Sequence, residues 1–136
     1  MQNVSAVLGR FFLSAVFFVS GWRKFEDPAS VATRIAEVTA KAPWVPDAVA
    51  IGVRNAAPLL AWAAIGFEWL GAFCLITGFK KELGAGLLII FLIPTTILFH
   101  PPSEAGQLTQ FLKNVAIIGG LLLVVASAPK GRDRAL

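Results

Sequence analysis

Apolar residues gather in four long runs, Val4 to Gly21, Pro58 to Phe79, Leu83 to Phe99 and Phe111 to Ala128. Each has about the length that crosses ~30 Å of hydrocarbon at ~1.5 Å per residue, with the first, third and fourth at the short end. Backbone groups in lipid must be bonded within their own segment, and the runs lack the alternation of barrel strands, so each predicts a helix. Arg10 alone breaks the first run, while Val19, Ser20 and Gly21 are small residues of the kind found at a signal-peptide cleavage site. A retained helix is expected instead, because the later runs need a membrane partner.

Asn55 is placed to cap the second run, and Pro58 falls in its first turn, where a missing N–H costs nothing. Lys80-Lys81-Glu82 then joins the second and third runs as a tight helical hairpin, and Pro101 and Pro102 end the third. Pro94, beside Thr95 and Thr96, predicts a kink whose freed carbonyl a hydroxyl or a water would satisfy. The polar stretch Ser103 to Gln110 leads into the fourth run.

The one long connection, residues 28–54, has a different pattern. From Pro28 to Lys41, Val31, Ile35 and Val38 recur on one helical face and Arg34, Glu37 and Lys41 on another. This predicts an amphipathic helix lying along one membrane face, with Trp44 and the short Asp47 to Arg54 segment as further interfacial structure. The fold expected is all-α: an integral membrane four-helix up-down bundle, one transmembrane domain over residues 1–136 with spans near 4–21, 58–79, 83–99 and 111–128.

Composition agrees with lipid as solvent: 57% of residues are hydrophobic and 15% charged, too few charges to cover a soluble domain. The net charge of +4 does not point to nucleic acid, because the basic residues flank apolar runs and do not form a polar, aromatic-studded surface. They read as orientation signals. Lys80, Lys81, Lys130, Arg132 and Arg134 fall on one side and the linker 101–107 lacks Lys and Arg, which places both termini in the cytoplasm. Arg23, Lys24, Arg34, Lys41 and Arg54 oppose this, but they are mixed with Glu26, Asp27, Glu37 and Asp47. The single cysteine, Cys74, excludes an internal disulfide or dithiol and reads as a small buried hydrophobe. One histidine argues against a metal or haem within a single subunit, so no metal is expected.

The informative residues are those that hydrocarbon rejects, at about 2.5–3.5 kcal/mol for an Arg, Lys or Asp at mid-membrane. Glu68 lies at the middle of the second run and Arg10 near that of the first, which predicts a bidentate Arg10–Glu68 contact. Ala61, Ala64, Gly71 and Ala72 are small and would let another helix approach. Arg10, Ser14, Phe17, Gly21 and Lys24 share one stripe, Thr96 and His100 stand one turn apart, and Gln110, Lys113 and Asn114 cluster at the same end as His100. These groups are expected to line a polar cavity running from the outer end toward midplane, with Glu68, Arg10 and His100 as its acid–base groups and Ser14, Lys24, Thr96, Lys113 and Asn114 as binding groups. A bland reading stands beside each. The Arg10–Glu68 pair also serves as interhelical glue, His100 as an interfacial residue, Lys24 and Lys113 as snorkelling cations, and the four tryptophans as interface anchors.

Leu8-Gly9-Arg10, Gly21-Trp22-Arg23-Lys24-Phe25, Glu68 with Gly71 and Gly78, and His100, in this order, give the chain a resemblance to the DoxX family of small four-helix membrane proteins. The resemblance implies a bacterial inner-membrane protein, with relatives linked to thiosulfate oxidation coupled to quinone reduction, others that are partners in membrane redox complexes, and distant ones that act as chaperones. Family positions map onto Arg10, Gly21, Lys24 and Glu68 without a catalytic role attached, and the lone Cys74 departs from a thiol-redox pattern.

The leading expectation is a membrane subunit that binds a quinone or similar lipophilic molecule, without a covalent cofactor, and receives electrons from a soluble or membrane redox partner in a homo- or hetero-oligomer. The competing class is a non-catalytic chaperone, assembly factor or accessory subunit that docks a partner through residues 28–54.

Overall fold

The computed structural model describes residues 3–128 and is all-helical, with no strand among them. Five helices follow in order: α1 Val4–Glu26, α2 Pro28–Lys41, α3 Asp47–Thr77, α4 Lys81–Phe99 and α5 Leu108–Ala126. All but α2 are long and apolar enough to cross a membrane. The cations Lys130, Arg132 and Arg134, part of the orientation signal, lie outside the described residues.

Local chemistry sets the helix ends. The Asn3 side chain accepts from the Ser5 N–H at 3.2 Å to cap α1. Asp27 closes α1 and caps α2, accepting from the Ser30 N–H at 3.0 Å, with Pro28 in the first turn where no donor is needed. Gly78 ends α3 with φ +74, a left-handed conformation that a side chain disfavours. At the far end of α4, His100 donates its backbone N–H to Thr96 O before Pro101 stops the helix.

α3 departs from expectation. It begins at Asp47, capped by Pro46, and continues through Asn55 and Pro58, so the separate interfacial segment 47–54 is instead its first two turns. Pro58 lacks the donor for the Arg54 carbonyl, but its ring is exposed while Ala57 and Ala61 are buried against α2. Packing of that alanine stripe carries the helix past the proline. With 31 residues α3 is about 46 Å long, well beyond the ~30 Å hydrocarbon core.

α3 is also the centre of the packing, touching α1, α2 and α4, while α5 packs on α4. Gly71 faces Leu88 and Gly84 faces Cys74 so closely that neither glycine has room for a Cβ, which lets α3 and α4 approach backbone to backbone. Around this contact Phe17, Ala72, Leu75, Ala85, Leu88, Leu92 and Leu121 form the buried core. A second cluster, Ala32, Ala57 and Ala61 with Val31 and Ile35 beside it, holds α2 to α3. Leu59, Phe73, Ile90 and Leu123 point outward, as in a protein whose surroundings are acyl chains. In α4 the Thr95 and Thr96 hydroxyls bond to the carbonyls of Phe91 and Leu92, not to the Ile90 carbonyl that Pro94 leaves without its helical donor.

Candidate functional site

Glu68 is 2% exposed and stands on the α1-facing side of α3. Its partners come from the last turns of α1. Lys24 Nζ donates to Glu68 Oε1 and Oε2 at 2.8 and 2.9 Å and to Ser20 Oγ at 2.6 Å, so the three ammonium protons each have an acceptor. Ser20 Oγ in turn donates to Glu68 Oε1 at 2.8 Å. Ser20 and Lys24 are one helical turn apart and therefore share a face. Gly21, between them, allows the approach: a Cβ there would lie 2.5 Å from Trp69 Nε1 and 3.5 Å from Glu68 Oε2. Phe18 stacks on Trp69 and Phe25 lies 5.4 Å from it, packing this contact on its flank.

The pair borders a cavity of about 770 Å³ to which all five helices contribute. Ser20, Arg23 and Lys24 enter from α1, Ser30 and Arg34 from α2, and Glu68 from α3. Thr95 and His100 come from α4, and Gln110 and Asn114 from α5. Val16, Phe17, Leu92 and Ile117 make apolar wall between them. The chamber lining thus carries three cations, Arg23, Lys24 and Arg34, and one carboxylate, Glu68, and the excess positive charge suits a ligand with acceptor oxygens or negative charge.

The α4–α5 side is held by hydrogen bonds. Asn114 Nδ2 donates to Thr96 Oγ1 at 3.0 Å and Gln110 Nε2 donates to Asn114 Oδ1 at 3.3 Å. His100 Nδ1 lies 2.8 Å from Gln107 Oε1 in the connection before α5. Two aromatic rings on α4 carry cations over their faces: Lys24 Nζ is 5.8 Å from the Phe91 centroid, and Arg34 Cζ is 5.8 Å from that of Phe99.

Of the residues expected at the site, Glu68, Lys24, His100 and Asn114 line this chamber, and Thr96 stands behind Asn114. Arg10 does not pair with Glu68. It is buried, 8% exposed, with its guanidinium against Gly78 at the far end of α3, Nη1 lying 3.1 Å from where a Cβ on Gly78 would be. Glu68 and Gly78 are ten residues apart, about 15 Å along the helix. The expected pairing assumed that the first two runs were centred at one depth. Because α3 starts eleven residues before Pro58, Glu68 instead sits level with the end of α1, where Lys24 reaches it. Ser14 is buried outside the chamber, its hydroxyl donating to the Arg10 carbonyl at 2.6 Å, and Lys113 is exposed outside it.

Ser20, Arg23 and Arg34 were not expected at the site. Ser20 was legible as the residue one turn before Lys24, whereas Arg23 and Arg34 look like ordinary surface cations until α2 folds over the chamber. Among the described residues, His, Cys, Asp and Glu do not gather in groups that would hold a metal ion.

Four apolar helices long enough to cross a bilayer, with a charged chamber among them, define a multi-pass helical membrane protein. Residues 5–101 match the DoxX family, a stretch running from α1 through α4, and the chain belongs to that family. No match is found among curated proteins or solved structures.

Proposed function

We propose that the chamber binds the head group of a quinone or similar lipophilic molecule, and that the chain is the membrane subunit of a quinone-linked oxidoreductase system. The observation that carries this reading is the Lys24–Ser20–Glu68 cluster, ion-paired between two apolar helices and facing a cavity. Buried ionised groups in a membrane are costly to keep, and they mark ligand or proton pathways more often than lipid-facing positions do. The cavity is of a size that takes a small organic molecule. Its residues fit a flat ring bearing carbonyl oxygens: Phe17, Leu92 and Ile117 offer apolar contact, while Arg23, Arg34 and Gln110 offer donors.

A bound quinone would supply a two-electron, two-proton acceptor, with the electrons coming from a separate redox protein. This chain's part is to position the ring and to handle protons. Glu68 and Lys24 form a titratable pair at the chamber wall, Ser20 links them by a rotatable hydroxyl, and His100 is a second titratable group at the α4 end.

In this reading the four long helices form an up-and-down bundle in a bacterial inner membrane with both termini cytoplasmic, as the basic Lys80-Lys81 turn and the 101–107 side, which has no Lys or Arg, favour. The chamber then lies in the outer half of the bilayer, with α2 at the interface above it, where a donor protein would dock.

The test is to purify the protein in mild detergent and quantify co-extracted quinone. Wild type is expected to retain quinone, Glu68→Gln and Lys24→Met to lose at least about tenfold of it, and Arg10→Ala to retain it. Wild-type protein that neither carries nor binds quinone would end this reading and leave the accessory or chaperone role through residues 28–54.

A further inference from the structure

We infer a lateral portal between α3 and α4, leading from the lipid to the chamber and holding the apolar tail of the ligand whose head lies in the chamber. The inference rests on the chamber being the head-group site and adds the tail site and the route of entry.

Beside the chamber is a second, smaller cavity of about 260 Å³. Its own walls are almost wholly apolar: Leu60, Ala63 and Phe67 from α3, and Leu87, Ile90 and Leu98 from α4. Ile35, Ala64, Phe91, Thr95 and Phe99 line both cavities, so the two spaces share a wall one side chain thick. The groove opens on the outward faces of two apolar helices, where Leu60 and Ile90 are exposed. A polar chamber and an apolar groove meeting in this way match an amphiphile with a polar head and an isoprenoid tail, not a water-soluble solute.

The shared wall has the properties of a partition that moves. Phe91 and Phe99 are half-buried and border both cavities, and each carries a cation from the chamber lining, Lys24 over Phe91 and Arg34 over Phe99. Ala64 on the facing helix has no bulk to close the gap. Rotation of either ring about its side-chain bonds joins groove to chamber without moving a helix. A ligand dissolved in the bilayer then enters sideways and leaves its tail between Ala63 and Ile90.

The experiment compares binding of a quinone bearing several isoprene units with that of the same ring without a tail, in nanodiscs of fixed lipid composition. Ala63→Trp fills the groove without touching the chamber, and Ala63→Leu does so more gently. For the tailed quinone we expect about tenfold weaker binding to Ala63→Trp than to wild type, about 1.4 kcal/mol, and an intermediate loss for Ala63→Leu. The tail-less ring should bind all three proteins equally, which also shows that the variants are folded. Equal binding of the tailed quinone to wild type and both variants would remove the portal, leave the chamber intact, and mark the groove as a seat for bulk acyl chains. Failure of wild type to bind either ligand would remove both.

Discussion

Lys24 on α1 and Glu68 on α3 are 44 residues apart in the chain and form a two-pronged ion pair, with Lys24 Nζ within 2.9 Å of both carboxylate oxygens. The two side chains are unequally placed: that of Glu68 is 3% exposed and that of Lys24 23%. Lys24 stands near the end of its helix on a flexible stem, while Glu68 is fixed in the middle of the fold.

That asymmetry sets the outcome of breaking the pair. Lys24→Met strands a buried carboxylate and is expected to destabilise by about 3 kcal/mol, the low end for a broken buried pair because Lys24 is partly exposed. Glu68→Leu leaves a lysine that can turn toward the interface and is expected to cost about 1 kcal/mol. The double variant should lie closer to wild type than Lys24→Met does. A double-mutant cycle by equilibrium unfolding in mixed micelles checks this, and a strictly additive result would show that the pair contributes nothing as a pair.

Gly21 sets the distance between α1 and α3. With Trp69 Nε1 only 2.5 Å from its virtual Cβ, Gly21→Ala is expected to destabilise by about 1–3 kcal/mol. Gly9→Ala, on the same helix with open space around it, should be neutral or mildly stabilising. Thermal unfolding of the two variants side by side gives the comparison, and equal effects would mean that α1 shifts to relieve the contact.

Membrane orientation decides which face the chamber serves. In a Cys74→Ala background, Ser103→Cys is expected to react with an impermeant maleimide in intact cells, and Ser127→Cys only after permeabilisation. The opposite pattern would turn the chamber toward the cytoplasm and move the electron donor there.

Much of the architecture was legible along the chain. Hydropathy located the four spanning helices, because lipid demands about twenty apolar residues in an unbroken helix and few other structures satisfy that demand. The 3.6-residue recurrence of Val31, Ile35 and Val38 gave α2 its bounds, and Pro101-Pro102 marked the end of α4. Residue type alone also singled out Glu68, since a carboxylate in the middle of an apolar run must find a partner.

Tertiary structure decided which partner. Arg10 and Lys24 lie on one stripe of α1, and the choice between them depends on how far α3 is shifted along α1, a register seen where Gly21 of α1 meets Trp69 of α3. The same shift moved Arg10 to Gly78 and brought Ser20 to the carboxylate, while the folding of α2 over α1 and α4 turned Arg23 and Arg34 into chamber walls. Hydrophobic runs report depth in the membrane to within a few turns of helix, but an ion pair is made or missed within a few ångströms, and only the packed helices set distances that fine.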